Sequence, residues 1–529
     1  MKALDKIIIS NIKMPVKHTE AEVFEKAKKS AERKGISVFE PVIHKKSIDA
    51  RRKSDIHFVY SVVFSARGVR ESALSGDIGR FCEPEGISFD SFKRNIQKNK
   101  KIVIAGSGPC GLFSALVLAK CGFSPLIIER GEDVEKRSKA VEAFFNGGEL
   151  DENTNIQFGE GGAGTFSDGK LNTRIGSPLQ RFILETFVEC GAPSDILYQA
   201  KPHIGTDFLA ECVKNIRGEI IKCGGTVRFG ARLSDIIIKN GKVCEIEINS
   251  SEREACDCLI LATGHSGRDT YEMLLRRGAI MQQKPFAAGV RIEHKREFIN
   301  AAQYGLSPEA KLLPAADYRL VYNGSNRSCY SFCMCPGGVV VNASSEKGGL
   351  VVNGMSRHSR SEENSNSALA VTVRPEDFEN DSPLAGIEFQ RKYERAAFAL
   401  AGGKGIIQLA RDFADNREST RFGEVKPSFT GDTEFANIKE ALPSFISETL
   451  TEGLGCFERK IKGFLSGDAL LTGVEMRTSA PVRVLRNENF ESLNIKGLFP
   501  AGEGAGYAGG IMSAAIDGVK IAESIIKSV

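Results

Sequence analysis

A short glycine pattern near residue 100 constrains the fold of this chain more than any other feature. The apolar segment Ile102 to Ala105 is followed by Gly106, Gly108 and Gly111, and then by the helix-forming run Leu112 to Ala119. In a dinucleotide-binding turn the first glycine allows the tight turn, the second lets the backbone approach a pyrophosphate, and the third lets helix and strand pack closely. Free N–H groups at the helix start would hold the phosphates.

An acidic residue completes this pattern. A second predicted strand, Pro125 to Ile128, closes a strand–helix–strand unit and ends at Glu129. A carboxylate there can accept hydrogen bonds from both ribose hydroxyls of an adenosine and would repel a 2′-phosphate. Glycine-rich turns are common in unrelated proteins, but a strand, a helix and an acid in register favour a dinucleotide site. The sequence therefore indicates FAD or NAD rather than NADP.

Length and composition limit the remaining classes. A chain of 529 residues predicts two or three domains, and its hydrophobic fraction of 41% is that of a globular protein. The apolar runs are far shorter than the roughly 20 residues that span a bilayer, and we find no secretory signal, so we expect no membrane span and a cytoplasmic location. The 13 cysteines include no Cys-x-x-Cys pair, so we expect no metal site and no usual disulfide-reducing flavoprotein.

The first 97 residues differ in charge from the rest. The first hundred contain 21 Lys and Arg against 13 Asp and Glu. A β-α-β-β module is predicted, with elements at Lys6 to Lys13, Glu20 to Lys34, Val38 to Ile43 and Ile56 to Ser65. The basic run Lys45 to Lys53 could contact RNA or an acidic partner. We prefer a solvated hairpin loop, because no aromatic residues are interleaved to stack bases.

A second glycine-rich segment follows the fingerprint. A charged helix is predicted from Val134 to Phe145, and five glycines then fall within residues 159–169. Such density lets a backbone pass close to a ligand, although glycine-rich loops are also simply flexible. Because the loop contains Thr165 and Ser167 and follows the first β-α-β unit, we expect it to contact the cofactor.

Two more strand ends are predicted at the same edge. The buried strand Cys258 to Ala262 ends at Thr263–Gly264, and the late strand Leu498 to Ala501 is followed by Glu503 and a helix from about Gly510. In a parallel sheet such ends face the cofactor. The positive end of the last helix dipole would stabilise negative charge on a reduced flavin ring.

The remaining segments complete the predicted fold class, which is α/β. We expect a Rossmann-like FAD-binding domain (98–280 and 481–529), an inserted antiparallel β-sheet with helices as a cap or substrate domain (281–480), and the basic module (1–97). A polar connection, Phe92 to Lys101, would join module and domain. Further predicted elements are a helix at Lys201 to Gly224, strand pairs at Gly225 to Ile238, strands at Phe286 to Glu293, Tyr318 to Tyr322, Ser328 to Cys335, Val339 to Ala343, Val351 to Met355 and Leu369 to Val373, and helices at Gly386 to Ala401, Ile438 to Gly453 and Cys456 to Phe464.

Several segments together resemble a known family. The glycine fingerprint with Glu129, the Ala262–Gly264 strand end and Pro500–Glu503 resemble the three FAD-binding motifs of the glutathione-reductase-like flavoprotein superfamily. Within it the chain looks like a group of bacterial proteins called uncharacterised FAD-dependent dehydrogenases. The segments that carry this closer resemblance are Phe158–Lys170, Lys284–His294, Ser331–Gly338, Leu471–Ser479 and Glu503–Gly510.

The resemblance implies FAD, redox chemistry and a set of cofactor contacts. Glu503 would stand where many relatives have Asp. The implied and predicted contacts are Gly106, Ser107, Gly108, Pro109, Cys110, Gly111, Glu129, Arg130, Arg137, Gly161, Gly162, Ala163, Gly164, Thr165, Ser167, Leu233, Thr263, Gly264, Gly502, Glu503, Gly509, Gly510 and Ile511. A second glycine fingerprint for NADH or NADPH is not found after residue 264, so a nicotinamide would be at most a transient electron donor.

Four residues are candidates for the chemistry. If Cys333 and Cys335 both face the flavin, they could relay electrons or bind a thiol substrate. Strand alternation places them on one side, but joining them would need a strained bridge, so two small buried core cysteines are the preferred interpretation. Arg291 and Arg477 could bind a substrate carboxylate or the flavin N1/O2 edge. The alternative is a salt bridge to Glu293 or Glu475.

Two more side chains have open roles. His265 could shuttle a proton or serve as a hydrogen-bonding wall, and Arg137 could reach FAD or be solvated. The function predicted overall is hydride transfer between a small-molecule substrate and flavin N5, with a separate electron donor or acceptor. Two alternatives remain open, a flavoprotein that acts on RNA through the basic module and a non-catalytic flavin redox sensor.

Overall fold

The N-terminal module is a four-stranded antiparallel sheet with one helix packed on it. The computed structural model describes residues 5–67, 69–83, 100–173 and 176–528. The module contains β1 (Asp5–Pro15), α1 (Glu20–Glu32), β2 (Ser37–Asp49), β3 (His57–Arg67) and β4 (Ile78–Arg80), in the order β2-β3-β1-β4. Thr19 and Glu22 form a capping box that starts α1. The short β4 was not predicted. Most of the connection predicted over Phe92 to Lys101, namely residues 92–99, lies outside the described residues.

The basic run of this module is the predicted hairpin loop only in its second half. Arg51, Arg52 and Lys53 lie in the exposed turn after β2, whereas β2 continues to Asp49 and contains Lys45 and Lys46. The Lys46 amide donates to the Tyr198 carbonyl oxygen over 2.7 Å, and its ammonium lies 4.9 Å from the Phe58 ring centroid. Lys46 therefore fastens the module to the rest of the protein.

The second layer is built from β5 (Ile102–Ala105), α2 (Pro109–Lys120), β6 (Leu126–Ile128), α3 (Val134–Phe145), α4 (Leu179–Glu189), α5 (Thr206–Lys222), β7 (Thr226–Arg228), β11 (Cys258–Leu261), α6 (Arg268–Arg276), β23 (Leu498–Pro500) and α11 (Ile511–Lys527). Its strands form a parallel five-stranded sheet in the order β23-β11-β5-β6-β7. Helices α2 and α11 pack together on this sheet, and their apolar faces are fully buried. A separate sheet holds β8 (Leu233–Lys239), β9 (Lys242–Ile248) and β10 (Glu252–Ala255).

The third part contains the elements β12 (Met281–Gln283), β13 (Phe286–Lys295), α7 (Arg296–Tyr304), β14 (Val321–Asn323), β15 (Ser328–Cys335), β16 (Val339–Asn342), β17 (Val352–Met355), β18 (Asn364–Val373), α8 (Ala385–Ala401), β19 (Gly405–Leu409), α9 (Ala410–Ala414), β20 (Thr433–Phe435), α10 (Ser444–Lys460), β21 (Leu470–Glu475) and β22 (Val482–Val484). Seven of these strands form a mostly antiparallel sheet in the order β14-β15-β18-β13-β21-β19-β20, and only β19 and β20 pair in parallel among its described strands. Two further antiparallel pairs, β12 with β22 and β16 with β17, are separate from this sheet.

Three predicted elements are corrected. Thr226–Arg228 is the edge strand of the parallel sheet, so the predicted strand pairs over Gly225 to Ile238 are wrong at their start. The two helices predicted over Ile438 to Gly453 and Cys456 to Phe464 are one helix, because Pro443 sets the start of α10 and Gly455 does not end it.

Among the helices of residues 5–67, 69–83, 100–173 and 176–528, none combines the length and apolar character needed to span a bilayer.

Candidate functional site

A cavity of about 390 Å³ lies where the carboxyl ends of the parallel strands face the seven-stranded sheet. Residues from both sheets line it. Of the predicted cofactor contacts, those that line the cavity are Gly106, Gly108, Pro109, Cys110, Glu129, Arg130, Gly162, Ala163, Gly164, Ser167, Leu233, Thr263, Gly264, Glu503, Gly509, Gly510 and Ile511. Of the predicted catalytic residues, Cys333 and Arg477 line it, and Cys335 and Arg291 lie behind its wall.

The glycine turn has the geometry of a phosphate cradle. Gly106 has φ +103°, and a Cβ on it would lie 2.4 Å from the Ala262 carbonyl oxygen. A Cβ on Gly111 would lie 2.0 Å from the Gly106 carbonyl oxygen, so only glycine allows the helix to pack this closely against the turn. A Cβ on Gly108 would meet only Gly162 Cα, at 3.8 Å, so its bare backbone borders the cavity. Each glycine thus fits its predicted role.

Helix α2 begins at this turn with no side-chain cap from the described residues. Its first N–H groups therefore face the cavity edge with the positive end of the helix dipole. Glycine backbone and uncapped amides at a cavity edge are the arrangement that binds the pyrophosphate of a dinucleotide. The residues present thus fit FAD.

Glu129 is fixed by the chain itself. Its Oε2 accepts from the Ser107 N–H and Oγ, each over 2.8 Å, and its Oε1 accepts from the N–H groups of Gly131 and Gly159, each over 3.0 Å. Ser107, predicted to contact the cofactor, is buried and instead positions this carboxylate. Four donors hold the carboxylate at the strand end, where a ribose hydroxyl would be a further donor.

Arg137 has a different role from either one predicted for it. It is fully buried, and it is neither solvated nor on the cavity wall. Its guanidinium donates to five carbonyl oxygens of the glycine-rich loop, those of Asn155, Ile156, Gly159, Glu160 and Gly162. Burial lowers the pKa of Arg137 to about 10. Arg137 therefore shapes the loop that covers the cofactor cradle.

Three other predicted contacts support the site from behind. Gly161 has φ +81° and lies against Thr165, whose Oγ1 donates to the Glu160 carbonyl oxygen over 3.3 Å. The Gly502 N–H donates to Asp517 Oδ2 over 2.7 Å. Gly161, Thr165 and Gly502 are thus placed to hold the backbone of two cavity loops.

Arg477 lines the cavity but is paired within the protein. Its Nε and Nη2 donate to the two oxygens of Glu394 over 2.8 and 2.7 Å, and Nη1 donates to Ser266 Oγ over 3.2 Å. Arg268 also contacts Glu394, with Nη2 2.7 Å from Oε1. The ion pair expected for Arg477 with Glu293 or Glu475 is replaced by one with Glu394 of helix α8, which also pairs with Arg268 of helix α6.

Arg291 matches the salt-bridge interpretation. Its Nη1 lies 3.4 Å from Glu475 Oε2 and donates to Asn353 Oδ1 over 2.9 Å, and its Nη2 donates to the Cys333 carbonyl oxygen over 2.6 Å. Glu475 lines the cavity, and within the described residues its Oε2 has no hydrogen-bond partner. Burial raises the pKa of Glu475 to about 7. Glu475 can therefore bind or release a proton near neutral pH.

A second acid lies across the cavity beside a histidine. His265 Nε2 is 4.0 Å from Glu503 Oε1 and its Nδ1 is 3.3 Å from Ser266 Oγ. Burial lowers the pKa of His265 to about 3, so the imidazole is neutral, and burial raises the pKa of Glu503 to about 7. A neutral His265 can donate and accept hydrogen bonds at the cavity wall, which favours the second of its two interpretations.

Sequence reasoning missed several cavity residues. Lys170 and Glu475 fall within segments that carry the family resemblance, and this was the available signal for them. Phe332 also falls within such a segment, whereas Asn353 and Thr270 have no comparable sequence pattern. The missed lining residues include Gln157, Phe158, Asp168, Lys170, Asn172, Ala231, Ser266, Thr270, Phe332, Asn353, Glu475 and Thr478.

Comparison with known proteins shows that this chain belongs to a family of FAD-dependent proteins. Residues 285–478 match the family described as FAD-dependent protein, C-terminal domain-like, and residues 6–65 match a domain of unknown function, DUF8436. The cofactor is therefore FAD, as predicted. An uncharacterised protein of Clostridium beijerinckii is 51% identical over 496 residues, which cover 92% of each chain. The chain belongs to the same family as that protein.

Distant likenesses to solved structures add no functional argument. They include the flavin-dependent brominase Bmp2 triple mutant, at 13% identity, 81% and 80% coverage of the two chains and TM-score 0.37. A geranylgeranyl bacteriochlorophyll reductase-like protein of Thermoplasma acidophilum has 13% identity, 81% and 78% coverage and TM-score 0.34. Glycine oxidase of Bacillus cereus has 12% identity, 81% and 95% coverage and TM-score 0.32. Membership of the glutathione-reductase-like superfamily and dehydrogenase activity stay predictions.

Proposed function

We propose that the protein is an FAD-dependent oxidoreductase whose small-molecule substrate binds between the cofactor cradle and the seven-stranded sheet. One observation carries this proposal: the same cavity is lined by the glycine turn at Gly106 and Gly108 and by Cys333, Glu475 and Arg477 from the part of the chain that forms the seven-stranded sheet. Bound FAD supplies two-electron redox chemistry, and the protein supplies position, electrostatics and a proton.

The cradle orients the cofactor through backbone groups. The uncapped amides at the start of α2 would hold the pyrophosphate, and Glu129 would hold the adenosine ribose. The N-terminus of α11 borders the cavity at Gly510 and Ile511, so its dipole favours negative charge there. A flavin ring bound beside this helix N-terminus would therefore be easier to reduce.

Glu475 is the proton-handling group in this proposal. Its side chain lines the cavity, and its Oε2 lies 3.4 Å from the Arg291 guanidinium, which keeps the carboxyl in one orientation. With a pKa near 7, Glu475 can take a proton from a bound substrate and return it. The Nε and Nη2 of Arg477 both donate to Glu394, so this guanidinium is a fixed part of the cavity wall and is not free to bind a substrate carboxylate with those two groups.

The test is an anaerobic titration of the yellow holoprotein with NADH and then with NADPH, followed by its visible flavin band. Bleaching by either nucleotide would support an oxidoreductase fed by a transiently bound nicotinamide. If neither nucleotide bleaches the band, a screen of small organic reductants under the same conditions follows. A flavin that no reductant in that screen bleaches would contradict the proposal and favour a non-catalytic sensor.

A further inference from the structure

The two cysteines of the cavity wall lie on a strand that is irregular at that point. Strand β15 pairs with β18 regularly up to Phe332, opposite Ala368, and then shifts register before Cys335 pairs with Asn366. Cys333 lies in this bulge with φ +45°, a left-handed conformation that residues other than glycine rarely adopt. The bulge interrupts the regular strand geometry in which a bridge between the two sulfurs would be strained.

The bulge places the two cysteines beside each other at the cavity. Both are free in the described part of the chain, and the Cys335 thiol donates to the Cys333 carbonyl oxygen over 3.4 Å. Cys333 lines the cavity, whereas Cys335 is completely buried behind it. One sulfur can therefore meet a ligand while the other is reached only through its neighbour.

Two cations hold this bulge. The Lys170 ammonium donates to the Met334 carbonyl oxygen, and Arg291 Nη2 donates to the Cys333 carbonyl oxygen over 2.6 Å. The hydrogen bond from Cys335, together with the charges of Lys170 and Arg291, lowers the pKa of Cys333. A thiolate in such surroundings is the reactive form of cysteine.

A purely structural cysteine in the same strand shows the contrast. Cys329 is fully buried, lies in the regular part of β15 and packs against Gly453, where an added Cβ would come within 2.9 Å of it. Burial raises the pKa of Cys329 above its usual range. Cys329 needs neither a bulge nor a neighbouring cation, so packing alone does not account for the surroundings of Cys333.

We propose that Cys333 and Cys335 are a redox dithiol that exchanges an electron pair with the FAD bound in the same cavity. This role rests on the proposed oxidoreductase function. In the oxidising direction two S–H bonds break and one S–S bond forms, and the two electrons and two protons pass to oxidised flavin. Glu475 lines the same cavity and can accept the Cys333 proton before it passes to the flavin. In the reverse direction reduced flavin returns the electrons and protons to the disulfide.

The test counts electrons and thiols in the full-length holoprotein. The protein is oxidised with diamide, freed of the reagent and titrated anaerobically with dithionite while the flavin band is followed. Wild type and the control Cys329→Ser should take up four electrons for each FAD, two for the flavin and two for the disulfide. Cys333→Ser and Cys335→Ser should take up two.

Mass spectrometry gives a second result that does not depend on the flavin. After oxidation and alkylation, cleavage at Arg327 and Lys347 releases one peptide with three cysteines. Wild type should carry a single alkyl group, on Cys329, and three after reduction. Three groups after oxidation, or two electrons for each FAD in FAD-loaded wild type, would overturn the dithiol alone. Failure of wild type to hold FAD would overturn the proposed function as well.

Discussion

Replacing Arg137 by lysine should loosen the glycine-rich loop and weaken FAD binding. The buried guanidinium donates five hydrogen bonds, four of them between 2.6 and 3.0 Å and one of 3.3 Å. A lysine ammonium has three donors on one atom, so at least two loop carbonyls lose their partner. The loop would then have to become ordered when the cofactor binds.

The size of the effect follows from these contacts. A hydrogen bond to a charged group contributes about 1.5–3 kcal/mol, so two lost bonds amount to about 3 kcal/mol at the lower bound. Because about 1.4 kcal/mol changes an equilibrium constant tenfold, the affinity for FAD should fall roughly hundredfold.

Titration of apoprotein with FAD, read by quenching of flavin fluorescence, measures this change. Lys139→Arg on the exposed face of the same helix is the matched control and should bind FAD like wild type. Limited proteolysis should also cut Arg137→Lys between residues 155 and 167 faster than wild type. An Arg137→Lys variant with unchanged affinity and unchanged loop cleavage would refute this account of the loop.

Two further variants test the polar groups around the cavity. Burial opposes ionisation of Glu394, but Arg268 and Arg477 outweigh it and lower the pKa of Glu394 to about 2. Its stabilising contribution is therefore present above its ordinary pKa of 4.5 and is lost as the pH falls towards 2, so Glu394→Gln should lower the unfolding temperature at pH 7 far more than at pH 3. An equal loss at both pH values would contradict this pairing. Lys170→Met should slow alkylation of Cys333 by iodoacetamide several-fold at neutral pH, because a stabilising charge is removed; an unchanged rate would contradict it.

The cofactor cradle was predictable because its signals are local. Gly106, Gly108 and Gly111 act within one turn, and Glu129 follows the next strand, so spacing alone indicated their roles. The role of Arg137 was not predictable, because it depends on the direction of carbonyl groups 18 to 25 residues further along the chain.

The substrate end depended on tertiary contacts that no local pattern contains. Glu394 pairs with Arg477 across 83 residues. The positive φ of Cys333 lies in a bulge against β18, which strand alternation could not predict. Gly453 favoured a helix end in the sequence, whereas in the structure it lies inside α10 and makes room for Cys329.

The claim that this cavity holds FAD is tested most directly by filling its edge at Gly108. This residue has φ −71°, and a Cβ on it meets nothing closer than 3.8 Å, so Gly108→Leu should fold normally while its side chain occupies the pyrophosphate position. The measurement is FAD content per chain after reconstitution, with circular dichroism as the check on folding and Gly455→Leu, at an open helix position, as the control. The account predicts one FAD per chain in wild type and control and none in Gly108→Leu. A folded Gly108→Leu protein that retains one FAD would contradict it.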